Sequence, residues 1–291
     1  MNTLRLFNYF TISSIVLCIA WYAAFPISND GIGIAALIVI FIMGMPHGAL
    51  DILMLKSLSR QDMGKSRFSY AVKLGILVCV YTALVVMAFF AWMLLPTVCL
   101  LVFLTIGVAH FRHDWQQTRS TPAWCLSAVV VTAPSLVYSR RLEDVFEWLF
   151  LPAYHASIIA LGMQVIAVLC FAIVLAYWLK DSIETPAVKN MIIVVISACV
   201  LPPLVFFTLY FCIVHSVYHT VLVQKTMQVN FKSLAVATLV PMLGTVAIFS
   251  AGYWYFIETE ALSVYYPLIF IGLFAVTCPH VLLTHFSNHN N

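Results

Sequence analysis

The sequence predicts an all-α protein, a polytopic bundle of about ten transmembrane helices forming a single integral membrane domain over residues 1–291. Three observations indicate this class. Hydrophobic residues make up 63% of the 291 residues and charged residues only 9%, whereas soluble domains carry about 25% charged residues. Apolar runs long enough to cross a bilayer recur from end to end. No soluble domain, long linker or low-complexity tract interrupts them.

The predicted spans are apolar runs separated by short polar or proline-containing breaks. They cover residues 8–26, 31–56, 68–94, 96–115, 121–138, 153–180, 187–201, 203–224, 232–256 and 262–286. Pro202 and Pro203 separate the short seventh span from the eighth. Because proline ends or kinks helices, an arrangement of nine spans with a kinked or re-entrant segment at these prolines is the alternative.

The basic residues predict that both termini face the cytoplasm. With a cytoplasmic N-terminus, the inner side receives twelve of the 14 Lys and Arg residues, and the outer side receives only Arg140 and Arg141. An excess of positive charge on the cytoplasmic side is the usual determinant of topology. The expected location is therefore the cell membrane, inner or plasma, crossed several times.

Net charge and cysteine placement argue against nucleic-acid binding and thiolate chemistry. The net charge is only +3 and the basic residues lie in short loops, so the expected surroundings are membrane lipid and not nucleic acid. The eight cysteines are scattered through apolar spans without a CxxC pair. This pattern is typical of small buried hydrophobic residues.

Histidines are concentrated at one depth of the predicted bundle. Spans two, four, eight and ten all run from the outside to the inside, and each carries histidine in its second half. The seven residues are His47, His110, His113, His215, His219, His280 and His285. Ionisable groups inside a membrane are costly and usually face the bundle interior with a partner. Four helices that bring histidines to one layer therefore predict a metal site.

The spacing of two histidines and two acids refines this prediction. His215 and His219 are four residues apart in HSVYH, so they share one helix face and can hold a metal from one side. Asp51 follows His47 by four residues and Asp114 follows His110 by four. Such carboxylates commonly orient a metal-binding histidine through its other ring nitrogen. For Asp114, a solvated position at a helix end is the alternative.

The donor set limits the metal. An imidazole-rich site without thiolates suits iron, zinc or copper, and Asp51 is the one acid that the predicted topology places clearly inside the membrane. Tyr210 and Tyr218 lie close to the histidines in the sequence and are candidates to line the site. For both tyrosines, packing at a helix interface is the alternative.

Four segments together resemble a known family. PHGALD at 46–51, AHFRHDW at 109–115, YFCIVHSVYH at 210–219 and PHVLL at 279–283 are similar to the ordered motifs of the Brp/Blh family of membrane β-carotene 15,15′-dioxygenases. The resemblance covers nearly the full chain. The chain differs from residues common in the family at Arg112, His113, Val217 and Tyr218. These differences leave the corresponding metal ligands unchanged, but they affect the shape of the substrate pocket and so the expected substrate preference.

The resemblance implies an iron(II) enzyme that cleaves the central double bond of β-carotene with O2 into two molecules of all-trans-retinal. The family's metal ligands correspond to His47, His110, His215 and His219. The remaining histidines of the layer, His280, His285 and His113, are candidates for a further ligand or for contact with substrate or oxygen. A functional link to a retinal-binding rhodopsin is also implied.

Three other functions compete with this interpretation. A di-iron membrane desaturase or hydroxylase acting on a lipid or carotenoid uses a similar number of histidines, although its HxxHH triplets are absent. A haem-binding electron carrier needs a pair of histidines from two helices as haem ligands. Such carriers often hold haems in both halves of the membrane, but the predicted outer half offers only His155. A transporter with a site at the membrane midplane is disfavoured because no internal repeat is present.

Overall fold

The computed structural model describes residues 9–13, 16, 35–36, 38–44, 48, 50–61, 67–115, 118–256 and 261–289, and these are almost entirely helical, with no β-strand among them. After a π-helical segment, Ile40–Gly44, the helices are α1 (Asp51–Gln61), α2 (Arg67–Leu94), α3 (Pro96–Phe111), α4 (Ser120–Thr132), α5 (Ser135–Trp148), α6 (Ala153–Leu179), α7 (Thr185–Val200), α8 (Pro203–Met227), α9 (Phe231–Phe256) and α10 (Ala261–His289). The all-α prediction is confirmed.

Several of these helices can cross a membrane. Five are long and apolar enough to do so: Tyr70–Leu94, Pro96–Trp115, Ala153–Leu179, Pro203–Met227 and Tyr266–Thr284. The bent pair α4 and α5 passes the same test together, and α7 is a shorter apolar helix. Most of the first predicted span and parts of the second lie outside the described residues. The total of about ten spans, the single domain and the cytoplasmic termini stay predictions.

The predicted fifth span, 121–138, is wrong as a single straight helix. The chain forms α4 and α5, whose axes differ by 57°, and α5 continues through residues that were expected in an outer loop. Pro134 lies at the break, where its ring and missing N–H prevent the helix from continuing. The hydroxyl of Ser135 donates to the carbonyl of Thr132, and the side-chain amide of Gln164 donates to the carbonyl of Ser135. The first of these bonds satisfies the carbonyl of the last residue of α4, which the break leaves without its helical partner.

The proline pair at 202–203 ends one helix and begins the next, as predicted. Helix α7 ends at Val200 and α8 begins at Pro203, where a missing N–H costs nothing in the first helical turn. The hydroxyl of Tyr138 donates to the carbonyl of Val200 at 2.9 Å. This bond satisfies one of the carbonyls that the end of α7 leaves open.

The helices differ in how much of their surface is buried against other helices. Helix α2 is strongly apolar, and no residue of its most hydrophobic stretch is fully buried in the described chain, so one side of this helix is suited to face lipid. Most of the buried core lies among α3 to α8 and α10, where Leu100, Leu126, Val194 and Leu204 are at most 2% exposed. Helix α2 adds Trp92 near its end, which is fully buried. Because lipid tails are as apolar as leucine, close packing and internal hydrogen bonds hold these helices together.

Two π-helical segments pack against each other beside the predicted site. The first is Ile40–Gly44, just before His47, and the second is Tyr210–Ser216 within α8. The hydroxyl of Ser216 donates to the carbonyl of Met43 in the first segment, and the thiol of Cys212 donates to the carbonyl of Val39, which directly precedes that segment. π-Helical turns are rare and often occur at functional sites. Here the two π-helical segments place the stretch of chain before His47 in contact with the part of α8 that carries His215.

Gly44 allows this close approach. A Cβ atom on Gly44 would lie 2.7 Å from Cε1 of Phe211, and the Phe211 ring stacks on Phe207 at 5.4 Å and on His215 at 5.9 Å. The Phe211 ring is therefore held between its two stacking partners and has little room to move away from Gly44.

We predict that Gly44→Ala lowers the free energy of unfolding by about 1–3 kcal/mol, the usual cost of an overpacked core. The measurement is the thermal midpoint of the purified protein in detergent. Gly75→Ala on α2 is the matched control, because a Cβ there meets nothing within 4 Å. Equal midpoints for the two variants would contradict the close contact.

Candidate metal centre

Four histidine rings from three helices converge in the buried interior. His110 comes from the last turn of α3, His215 and His219 from α8, and His280 from α10. The ring centroids of His110 lie 4.6 Å from His215, 6.0 Å from His219 and 5.2 Å from His280. His219 lies 5.4 Å from His280 and 6.3 Å from His215. These four residues are called the histidine cluster below.

The separations of the ring centroids in the cluster are ones that two imidazole ligands of a single metal ion can have. Nitrogen ligands bind at about 2.0–2.1 Å, so two imidazoles on one ion place their centroids roughly 4.5–6.5 Å apart, depending on the angle between them. All five centroid distances above fall within this range. Neutral imidazole is also the commonest metal ligand in proteins. Within the described part of the chain, however, no group of three or more His, Cys, Asp or Glu side chains is placed so that it could hold a metal ion without rearrangement.

Each of two aspartates joins a tyrosine to a cluster histidine. In the Asp114 group, the Nδ1 atom of His215 lies 3.2 Å from both carboxylate oxygens of Asp114, and the hydroxyl of Tyr210 donates to the same carboxylate at 3.1 Å. Asp114 and His215 are 3% and 1% exposed. The alternative of a solvated Asp114 is therefore wrong, and Tyr210 takes part in the polar network besides packing in the core.

The Asp51 group repeats this arrangement on other helices. The Nδ1 atom of His280 lies 2.7 Å from Oδ1 of Asp51, and the hydroxyl of Tyr81 on α2 donates to Oδ2 at 2.7 Å. Asp51 and His280 are each 3% exposed. In both groups Nδ1 faces the carboxylate, so Nε2 is the nitrogen that can bind a metal. Carboxylates behind metal-binding histidines fix the ring orientation and the tautomer in this way.

The two aspartates reach across helices. In the sequence, Asp51 follows His47 by four residues and Asp114 follows His110 by four. This spacing suggested that each carboxylate would bond to the histidine on its own helix. A 3₁₀ turn, Arg112–Trp115, follows α3 and carries Asp114 to α8. The π-helical turn of α8 also contributes, because residues five apart, such as Tyr210 and His215, lie nearer one face in a π-helix than in an α-helix.

The remaining predicted site residues have different positions. His113 is exposed, with its ring 6.5 Å from that of His110, and Tyr218 is half-buried. His47 and the side chain of His285 lie outside the described residues. Tyr81 was missed by sequence reasoning, although a tyrosine in the middle of an otherwise apolar membrane helix is a usable signal.

An apolar cavity leads away from the histidine cluster. His110, Tyr210 and Phe211 line it at one end, and its walls are mainly phenylalanine, leucine and valine from α3, α4, α5, α8 and α10. The cavity volume is about 140 Å³, less than the roughly 300–1,000 Å³ of typical ligand pockets. The aromatic side chains must therefore move apart to admit a large ligand. The chemistry of the walls fits a long hydrocarbon without charged groups.

Comparison with known proteins agrees with the resemblance. The model of the β-carotene 15,15′-dioxygenase family matches residues 37–287, which include every residue of the histidine cluster and both aspartates. A β-carotene 15,15′-dioxygenase from uncultured marine bacterium 66A03 is 27% identical over 262 residues, which cover 86% of this chain and 92% of the relative. No solved structure matches the chain.

We predict that Tyr81→Phe destabilises the protein by about 1.5–3 kcal/mol, because a buried carboxylate loses a hydrogen bond of the charged type. The thermal midpoint in detergent measures the loss. The matched control is Tyr154→Phe, since Tyr154 is 73% exposed and should leave the midpoint unchanged. An unchanged midpoint for Tyr81→Phe would contradict the bond to Asp51.

Proposed function

Since this chain belongs to the β-carotene 15,15′-dioxygenase family and is a carotenoid-cleaving dioxygenase, we propose that it cleaves the central 15,15′ double bond of β-carotene with O2 to give two molecules of all-trans-retinal. The observation that carries the proposal is the histidine cluster at one end of an aromatic, apolar cavity. Family membership favours this reaction over the di-iron desaturase, haem-carrier and transporter alternatives.

The proposed metal is iron(II), with His47, His110, His215 and His219 as ligands. A ferrous ion in this position would supply the oxygen chemistry that protein side chains lack. His280 is the further candidate ligand, because its ring is as close to His110 and His219 as the proposed ligands are to one another. Asp114 and Asp51 would hold His215 and His280 with Nε2 directed to the ion.

The protein's own residues would position the hydrocarbon and exclude water. β-Carotene carries no charge or hydrogen-bonding group, so recognition depends on shape and on apolar contact. The stacked rings of Phe207 and Phe211 extend from the cavity wall to His215, and this continuous surface would lead a polyene to the cluster. Specificity for the central bond would follow from the distance between the cluster and the far end of the cavity.

The proposed setting is the cell membrane, where β-carotene dissolves. Lipid-facing surfaces such as that of α2 fit this setting, and the apolar walls of the cavity fit entry of the substrate from the bilayer. Retinal leaves as an apolar aldehyde, and a retinal-binding rhodopsin is the proposed user of the product.

We predict that expression in a β-carotene-producing bacterium removes the yellow-orange colour and forms retinal, measured by extraction and chromatography. His47→Ala and His219→Ala should each restore the colour. His155→Ala is the control that keeps the wild-type result, since His155 is exposed and hydrogen-bonds to Thr97 at 3.0 Å, away from the cluster. Unchanged carotene with well-inserted wild-type protein would contradict the proposed substrate.

We also predict that Asp114→Asn lowers the affinity for iron(II) by about 10- to 100-fold, the usual effect of removing the carboxylate behind a metal-binding histidine. An amide replaces one of the two accepting oxygens that Tyr210 and His215 share with an NH2 group, and it carries no negative charge. The measurement is the iron content of purified protein at limiting iron. Asp181→Asn, at an exposed position between α6 and α7, is the control. Equal iron content in both variants would show that Asp114 has no part in metal binding.

A further inference from the structure

The histidine cluster approaches the protein surface on one side. His215 and His280, the two rings that the aspartates hold, are only 1% and 3% exposed. His110 and His219, in contrast, are partly exposed. His110 lines the apolar cavity, whereas His219 is not among the described residues that line it. The exposed part of His219 therefore indicates a second opening to the cluster, separate from the cavity.

His113 lies beside this opening. It is exposed, and its ring centroid is 6.5 Å from that of His110. It also interacts electrostatically with His215 and with His219. The 3₁₀ turn Arg112–Trp115 directly follows α3 and places His113 three residues after His110. Among the described residues, His113 is therefore the exposed histidine nearest to the buried cluster.

His110 is close enough to His113 for the two rings to share one metal ion. Their centroid separation of 6.5 Å lies at the upper limit of the roughly 4.5–6.5 Å that two imidazoles on one ion allow. The same His110 ring lies 4.6 Å from His215 within the cluster. His110 is thus common to two sets of rings, a pair with the exposed His113 and the buried cluster itself.

The charges around His113 favour the approach of a cation. The carboxylate of Asp114 has a larger electrostatic effect on His113 than the opposing guanidinium of Arg112. That guanidinium is engaged by α4, because it donates to the hydroxyl of Ser120 at 3.3 Å and lies 5.1 Å from the centre of the Trp124 ring. The predicted topology places this turn on the cytoplasmic side, which is the reducing compartment. Iron(II) persists under reducing conditions and can reach His113 from that side.

We infer that His113 is the entry site for the metal, which binds incoming iron(II) together with His110 and passes it to the histidine cluster. This inference rests on the proposed function, because it needs the proposed iron centre. The transfer is a ligand exchange without oxidation or reduction. Imidazole nitrogens replace water on the hydrated ion, and the bond to His113 breaks as a bond to a further cluster imidazole forms. His113 is a transient ligand and has no place in the loaded centre.

The test follows iron release, since entry and release take the same path in opposite directions. Iron-loaded protein in detergent is mixed anaerobically with a ferrous chelator, in enough excess that its concentration no longer affects the rate, and the coloured chelate is measured by absorbance. His113→Gln should slow release by about tenfold, the effect of roughly 1.4 kcal/mol on the barrier. His113→Glu, with a side chain of equal size that binds iron, should keep a rate near that of the wild type. His155→Gln, at an exposed position away from the cluster, is the control with an unchanged rate.

The iron content before the chelator is added should be the same in His113→Gln and the wild type. Three results would overturn the inference: release from His113→Gln that is as fast as from the wild type or faster, equal slowing in His113→Gln and His113→Glu, or a lower iron content in His113→Gln, which would make His113 a permanent ligand. The iron content of the wild type tests the proposed centre separately. A wild type without iron would refute the centre and the inference together, whereas a loaded wild type with unchanged release in His113→Gln would refute the inference alone.

Discussion

The pairing of buried aspartates with histidines is the interaction on which the rest of the structure depends. A carboxylate in a membrane interior is stable only with close partners, and Asp51 and Asp114 each have a histidine and a tyrosine within 3.2 Å. Each group joins residues from separate segments of the chain. The Asp114 group connects the end of α3 with α8, and the Asp51 group connects α1, α2 and α10. The helices that carry the histidine cluster are thus held in register by the same bonds that orient the rings.

The cavity complements this polar centre. Its described walls are apolar apart from His110, Tyr210, Tyr266 and Thr277, and the rings of Phe207 and Phe211 extend the wall to His215. The polar histidine cluster and the apolar cavity therefore have different roles. The cluster determines where chemistry can occur, and the channel determines which bond of a long hydrocarbon reaches it. The bend at Pro134 shapes this channel, because Pro134 and residues of α5 line it.

The sequence was sufficient for the class of the fold and for the gathering of the histidines. Hydropathy located the long helices, Pro202 and Pro203 marked a helix boundary, and the positive-inside rule brought His110, His215, His219 and His280 to one layer. The partners of the two aspartates could not be predicted, because spacing along the chain reports neighbours on one helix and gives no information on contacts between helices. The 57° bend between α4 and α5 was missed for a similar reason, since hydropathy does not record the direction of a helix.

The central claim is that the histidine cluster binds a single iron ion through imidazole nitrogens. X-ray absorption spectroscopy of the iron-loaded wild-type protein tests it most directly. The account predicts one iron per chain, a first shell of nitrogen or oxygen neighbours at about 2.1 Å, and the multiple-scattering pattern of four or five imidazoles. An iron–iron distance, a sulfur shell, or a spectrum with fewer than three imidazoles would contradict it.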